Sequence, residues 1–152
     1  MQGYDENRLK RVLFVCTGNS CRSVMAEKYL TSLNFGLEVL SCGISALEGF
    51  DLPHLTTKVL EDQGIPSSFH TIKQISHDMV LWADIIFTME MYQKERIASL
   101  FPETSSKIHL LSEYAKEEDP EIPDPFGGSI EAYETCFLKI KRCIDKINWD
   151  NI

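Results

Sequence analysis

The sequence predicts a single α/β domain in which helices cover both faces of a parallel sheet. Short apolar runs alternate along the chain with longer stretches whose apolar residues recur at helical spacing, a pattern typical of βαβ units. The chain has 152 residues, 43% of them hydrophobic, which is enough to bury one core and short for two domains. Because parallel strands end at a common edge, functional residues are expected at the carboxyl ends of the strands.

The elements are predicted in order after a polar leader, residues 1–10, that precedes a domain at 11–149. Residues 11–16 are apolar and rich in β-branched side chains, which predicts a strand buried on both faces. A helix then runs from Arg22 to near Asn34, a residue type common at helix ends. The remaining strands are predicted at 37–42, 84–89 and 107–111, and the remaining helices at 53–63, 75–81, 92–100 and 130–147.

Composition and charge disfavour several classes of protein. The formal net charge of −8 at pH 7 repels nucleic acids and anionic membranes at long range, so any phosphate site must be local. No run approaches the roughly 18 apolar residues of a membrane helix, and the first residues lack the apolar segment of a secretory signal. We therefore expect a cytoplasmic protein, in which the five scattered cysteines are core residues or reactive groups.

A candidate phosphate-binding loop follows the first strand, with the sequence Cys-Thr-Gly-Asn-Ser-Cys-Arg-Ser. Between a strand and a helix, successive backbone N–H groups can surround one point, and the helix N-terminus adds partial positive charge, so a phosphate dianion can bind. Glycine and asparagine tolerate the left-handed backbone that such a loop needs. The loop residues are Thr17, Gly18, Asn19, Ser20, Cys21 and Ser23.

Cys16, at the start of this loop, is the candidate nucleophile. The amides that hold phosphate also favour a thiolate over a thiol at this position. Arg22 offers a planar guanidinium that can hold two phosphate oxygens, and Ser23 can donate its hydroxyl to the departing thiolate. A cysteine and an arginine at this spacing would otherwise be ordinary structural residues, but the strand before and the helix after favour catalysis.

A cysteine-dependent phosphatase also needs an acid for the leaving group and a base for water. Asp124 is the leading candidate, because prolines on both sides stiffen its backbone in a long irregular segment, 112–129, after the last predicted strand. Asp119, which is also followed by proline, is the competing candidate. Either aspartate is equally compatible with a simple turn, so the residues alone leave this choice open.

Two motifs, VCTGNSCRS and IPDPF, resemble the signatures of the low-molecular-weight protein tyrosine phosphatases, and the likeness continues through SCGISALEG, HTIKQI, ADIIFTME and KIHLLSEY. The resemblance implies a four-stranded, flavodoxin-like parallel sheet, with no metal and no cofactor. It implies that Cys16 is the nucleophile, Arg22 the phosphate clamp and Asp124 the general acid and base.

The resemblance also implies supporting roles around the loop. Asn19 is expected to be held by polar contacts that involve Ser41, His70 and Glu90. Cys21 is expected to lie close enough to Cys16 for a reversible disulfide that protects the nucleophile from over-oxidation.

The expected substrate is phosphotyrosine in proteins, and phosphoarginine is the alternative. Ser20 stands where tyrosine-directed members carry a bulky aliphatic residue and phosphoarginine-directed relatives carry threonine. Leu47, Phe50 and Phe126 are candidates for a wall against a phenyl ring. The segment 45–50 resembles bacterial members linked to exopolysaccharide synthesis, which suggests a tyrosine kinase as substrate protein. We expect a monomer or weak dimer.

Two other functions are weaker alternatives. Thioredoxin-coupled arsenate reductases can share the loop, but they need a pair of cysteines after the third strand, and residues 88–101 contain none. A phosphate-binding module without activity would lack the nucleophile or the acid, whereas both residue types are present here.

Overall fold

A computed structural model describes residues 8–67 and 69–152. In these residues four parallel strands form one sheet in the order β2-β1-β3-β4: β1 (Lys10–Cys16), β2 (Leu37–Gly43), β3 (Ile85–Thr88) and β4 (Ile108–Leu110). This order is that of a flavodoxin-like fold and confirms the predicted sheet. The α-helices are α1 (Arg22–Ser32), α2 (His54–Asp62), α3 (His77–Trp82), α4 (Met91–Leu100), α5 (Leu111–Tyr114) and α6 (Ile130–Lys146).

Strand β1 is central because its side chains are buried on both faces of the sheet. On one face, Phe14 shares a core cluster with Met25 of α1 and Phe137 of α6. On the other face, Leu13 shares a second cluster with Ile97 of α4. Alternate residues of one strand therefore anchor two helical layers, and the loop after β1 lies at the middle of the carboxyl edge.

The predicted elements differ from the structure mainly at their ends. The helix predicted at 75–81 begins at His77, because the Ser76 hydroxyl accepts a hydrogen bond from the Met79 amide (3.2 Å) and caps it. The segment 112–129, predicted to be irregular, contains most of the short helix α5. Strand β4 has only three residues, followed directly by that helix, so the prediction of 107–111 was too long.

Only the end of the predicted leader is described, since residues 1–7 lie outside the described residues. The guanidinium of Arg8 binds both carboxylate oxygens of Asp84 (2.9 and 2.7 Å), and Lys10 opens β1. Across residues 8–67 and 69–152, no helix is both long and apolar enough to cross a bilayer.

Candidate active site

The loop between β1 and α1 presents unpaired backbone donors at the carboxyl edge of the sheet. Asn19 has a φ of 52°, the left-handed conformation that asparagine tolerates better than most residues. Among the described residues, the backbone N–H groups of Gly18, Asn19, Ser20 and Cys21 have no acceptor. Free amides next to the N-terminus of α1 can bind an anion.

The side chain of Asn19 holds this loop through four hydrogen bonds. Its amide nitrogen donates to the hydroxyls of Ser23 and Ser41, both at 2.9 Å. Its carbonyl oxygen accepts from the His70 ring at Nε2 (3.1 Å) and from the Lys73 amide (3.0 Å). The buried amide therefore uses its full hydrogen-bonding capacity, and Ser41 and His70 lie where the resemblance implied.

Glu27 extends this network, and sequence reasoning missed it. Its carboxylate accepts a hydrogen bond from Ser41 (2.8 Å) and forms an ion pair with Lys28 (2.9 Å). His70 Nδ1 lies 4.0 Å from the same carboxylate. The only signal in the sequence was that Glu27 lies one helical turn after Ser23, on the same face of α1.

Glu90 makes no hydrogen bond to Asn19 among the described residues, so the structure does not place it in that network as the resemblance implied. Its carboxylate instead lies 3.1 Å from Nη1 of Arg22. Glu90 also caps α4 together with Gln93, a fully buried residue whose amide nitrogen donates to the Thr17 hydroxyl (3.2 Å). At the N-terminus of α4, Glu90 thus supports Arg22 and Gln93 supports the phosphate-binding loop. The sequence did not indicate this role of Gln93.

Arg22 is 1% exposed and joins three parts of the site. Its Nη1 donates to the Ile122 carbonyl (2.8 Å), and its Nη2 lies 3.7 Å from the Asp124 carboxylate. Burial lowers the pKa of Arg22, but Cys16, Glu90 and Asp124 together outweigh it and raise that pKa. The guanidinium is therefore charged, and its buried Nε has no partner among the described residues, which leaves a donor for an anion.

The Cys16 thiol lies 3.0 Å from the Ser23 hydroxyl. Cys21 Sγ lies 3.6 Å from the Tyr133 hydroxyl, and burial raises the pKa of Cys21. Both cysteines are free thiols in the structure. The disulfide between them remains a prediction.

Gly43, at the end of β2, allows the sheet to approach the loop closely. A Cβ atom at this position would lie 2.5 Å from the Thr17 carbonyl oxygen and 2.9 Å from the Asn19 nitrogen. A Cβ atom does not approach backbone atoms this closely, so no other residue fits without movement of the loop. Sequence reasoning included this glycine in a motif but did not assign it a role.

A cavity of about 360 Å³ opens above the loop. Cys16, Arg22 and Asp124 all line it, so the structure brings the three candidate catalytic residues together. Leu47, Phe50 and Phe126, the predicted wall, also line it and are 68%, 68% and 69% exposed. Further lining residues that the sequence did not single out are Ser45, Asp51, Pro53 and Ile72.

The two candidate acids occupy different environments. Asp124 lines the cavity, whereas Asp119 lies outside it and forms an ion pair with Lys139 of α6 (3.0 Å). A hydrogen bond from the Glu121 amide and the ion pair with Lys139 lower the pKa of Asp119. The geometry favours Asp124 over Asp119 as the acid.

Comparisons with known proteins agree with this geometry. Residues 11–149 match the family "low molecular weight phosphotyrosine protein phosphatase". The chain is 36% identical to a protein-arginine-phosphatase of Geobacillus stearothermophilus, over 90% of this chain and 93% of that protein. It is 34% identical to the probable low molecular weight protein-tyrosine-phosphatase EpsP of Ralstonia nicotianae, over 90% and 92% of the two chains.

A solved structure shares the fold closely. The YwlE arginine phosphatase from Geobacillus stearothermophilus superimposes with a TM-score of 0.86 at 36% identity, covering 90% of this chain and 89% of that one. The resemblance found in the two sequence motifs is thereby confirmed. The chain belongs to the low molecular weight phosphotyrosine protein phosphatase family and is a cysteine-dependent phosphatase.

Proposed function

We propose that this protein hydrolyses phosphotyrosine in proteins through a phosphocysteine intermediate. The observation that carries the proposal is that Cys16 and Asp124 line one cavity, with the buried guanidinium of Arg22 close to Asp124. A nucleophile, a cation and an acid that converge on one space are the groups that phosphoryl transfer requires.

In the first step, the Cys16 thiolate attacks phosphorus in line with the bond to the phenolic oxygen. The loop amides and Arg22 hold the three non-bridging oxygens, where charge must be stabilised. The phosphorus–oxygen bond breaks, and the departing oxygen takes the proton of Asp124. A phosphocysteine and a free tyrosine result.

In the second step, the Asp124 carboxylate takes a proton from water, whose oxygen attacks the phosphocysteine. The sulfur–phosphorus bond breaks, and its electron pair returns to Cys16. The Ser23 hydroxyl, 3.0 Å from the sulfur, can donate a hydrogen bond to the thiolate as it leaves. Inorganic phosphate is released, and Asp124 again carries the proton.

The character of the cavity supports an aromatic substrate. Leu47, Phe50 and Phe126 present apolar side chains around the opening, and aromatic rings can stack against a phenyl ring. The implied partner is a phosphorylated protein, and by the sequence resemblance a tyrosine kinase among others. The free catalytic thiol suits a reducing compartment such as the cytoplasm.

Phosphoarginine is a second candidate substrate, favoured by two other residues of the same cavity. Ser20 and Asp51 line it, and a hydroxyl and a carboxylate can accept hydrogen bonds from a guanidinium group. The similarity to the arginine phosphatase of Geobacillus stearothermophilus points the same way. The mechanism is unchanged, except that a phosphorus–nitrogen bond breaks and Asp124 protonates nitrogen.

The ratio of kcat/KM on two peptides of the same sequence, one with phosphotyrosine and one with phosphoarginine, distinguishes these substrates. The assay is run under reducing conditions without added metal, with Cys16→Ser as the blank. We expect a ratio well above one. A ratio well below one would assign the protein to arginine dephosphorylation, and turnover by the Cys16→Ser variant would overturn the proposed nucleophile.

A further inference from the structure

The ammonium group of Lys139 in α6 binds the chain segment that precedes Asp124. Its Nζ donates to the Glu121 carbonyl (2.6 Å) and lies 3.0 Å from the Asp119 carboxylate. The Asp119 carboxylate in turn accepts a hydrogen bond from the Glu121 amide (3.1 Å). The Lys139 ammonium group therefore binds the Glu121 carbonyl directly, and through Asp119 it also stabilises the turn from Asp119 to Glu121.

The opposite side of this segment is held by the edge of the sheet. The Ile122 amide donates to the Met89 carbonyl (2.9 Å), and the Ile122 carbonyl accepts from Arg22 (2.8 Å). The Glu121 carboxylate accepts from the Met91 amide (2.7 Å). The segment is thus held between α6 on one side and the end of β3 with the start of α4 on the other, and Lys139 is the charged anchor on the α6 side.

Asp124 itself has few fixed contacts. Its side chain is 46% exposed, and one oxygen accepts a hydrogen bond from the Phe126 amide (3.0 Å) within its own turn. Behind the turn, a cavity of about 350 Å³ lies between residues 122–125 and α6, and the Cys136 thiol of α6 lies 4.0 Å from the Pro123 carbonyl oxygen. The turn is therefore incompletely packed against α6 at this point, and polar contacts help to hold it in place.

We propose that Lys139 is a positioning residue for the general acid. It does not touch the substrate; it holds the backbone at Glu121 so that the Asp124 carboxyl stays beside Arg22 and faces the cavity. The inference rests on the proposed function, in which Asp124 protonates the leaving group. Loss of the ammonium group should therefore impair proton transfer and leave phosphate binding intact.

Lys139→Met removes the charge and keeps the length of the side chain. We expect kcat/KM to fall about tenfold on phenyl phosphate, a poor leaving group that needs the acid, and less than about twofold on p-nitrophenyl phosphate. Inhibition by inorganic phosphate should not change. Lys139→Arg should recover most of the loss, and Lys141→Met, the same change one half-turn along α6, should behave as the wild type.

The double variant Asp124→Ala/Lys139→Met separates failure of this inference from failure of the proposed acid. If Lys139 acts through Asp124, adding Lys139→Met to Asp124→Ala should not change activity further. If Asp124→Ala alone slows both aryl phosphates equally, the acid assignment fails. If Asp124→Ala is selective but Lys139→Met is silent, slows both substrates equally, or adds to Asp124→Ala, the role of Lys139 is refuted.

Discussion

The Nη1 atom of Arg22 donates a hydrogen bond of 2.8 Å to the carbonyl oxygen of Ile122, which lies 100 positions later in the chain. The same nitrogen lies 3.1 Å from the Glu90 carboxylate. Through these contacts one guanidinium joins the phosphate-binding loop, the start of α4 and the segment that carries Asp124. Arg22, predicted from the sequence to bind phosphate, also holds the segment of the proposed acid.

Arg22→Lys tests this double role. Lysine keeps the charge, but a single ammonium group cannot contact Ile122, Glu90 and two phosphate oxygens together. We expect kcat on p-nitrophenyl phosphate to fall by about 10²-fold or more, with a larger loss on phenyl phosphate. Retention of more than about a tenth of wild-type kcat would show that positive charge alone suffices.

Replacement of Asn19 by glycine and by alanine separates its hydrogen bonds from its backbone conformation. Both variants lose the bonds to Ser23, Ser41, His70 and Lys73, but only glycine accepts a φ of 52° without strain. We expect both to lose at least about tenfold in kcat/KM, and alanine to cost about 1 kcal/mol more in the free energy of unfolding. A fully active glycine variant would show that conformation alone matters.

Gly43→Ala should lower kcat/KM by more than the loss of folded protein accounts for. The new methyl group would overlap the Thr17 carbonyl and displace the loop. Gly36→Ala is the matched control. Unlike Gly43, Gly36 has a positive φ, 75°, and none of the atoms beyond its chain neighbours lies within 4 Å of a Cβ built there. We expect Gly36→Ala to lower the melting temperature and keep kcat/KM, whereas Gly43→Ala should lower both. Equal kcat/KM values for the two variants would contradict a close approach of Gly43 to the loop.

Alkylation by iodoacetate at neutral pH should modify Cys16 first. Burial raises the pKa of Cys21, Cys42 and Cys143 and raises that of Cys136 to about 12, so these thiols stay protonated and unreactive. Mass spectrometry should find one adduct, formed more slowly when phosphate is present. In denaturant all five cysteines should react; earlier labelling of another cysteine in the folded protein would argue against the assignment.

Local sequence was sufficient to predict the strands, most helices and the phosphate-binding loop. The continuous apolar run of β1 and the glycine and asparagine after it are short-range signals with direct structural causes. The sequence resemblance favoured Asp124 over Asp119, and the structure adds a physical reason, because the fold brings different groups near the two residues. Lys139 pairs with Asp119, and Asp124 lines the cavity.

Three further supporting residues could not be found from the sequence, because their partners lie far away along the chain. Glu27, Gln93 and Lys139 act through contacts to residues that are distant along the chain, such as Ser41, Thr17 and Glu121. Glu90 was expected among the polar contacts of Asn19, but its carboxylate lies 3.1 Å from Nη1 of Arg22, at the start of α1.

The sheet order has a consequence for biosynthesis and turnover. Each pair of neighbouring strands is parallel, so no pair can form as a simple hairpin while the chain emerges from the ribosome. Cys16 is synthesised well before Asp124 and Lys139. Proteolytic removal of α6 would take Lys139 and also Phe137, which shares the core cluster of Phe14, so clipped molecules should lose both core packing and turnover although Cys16 stays in the chain.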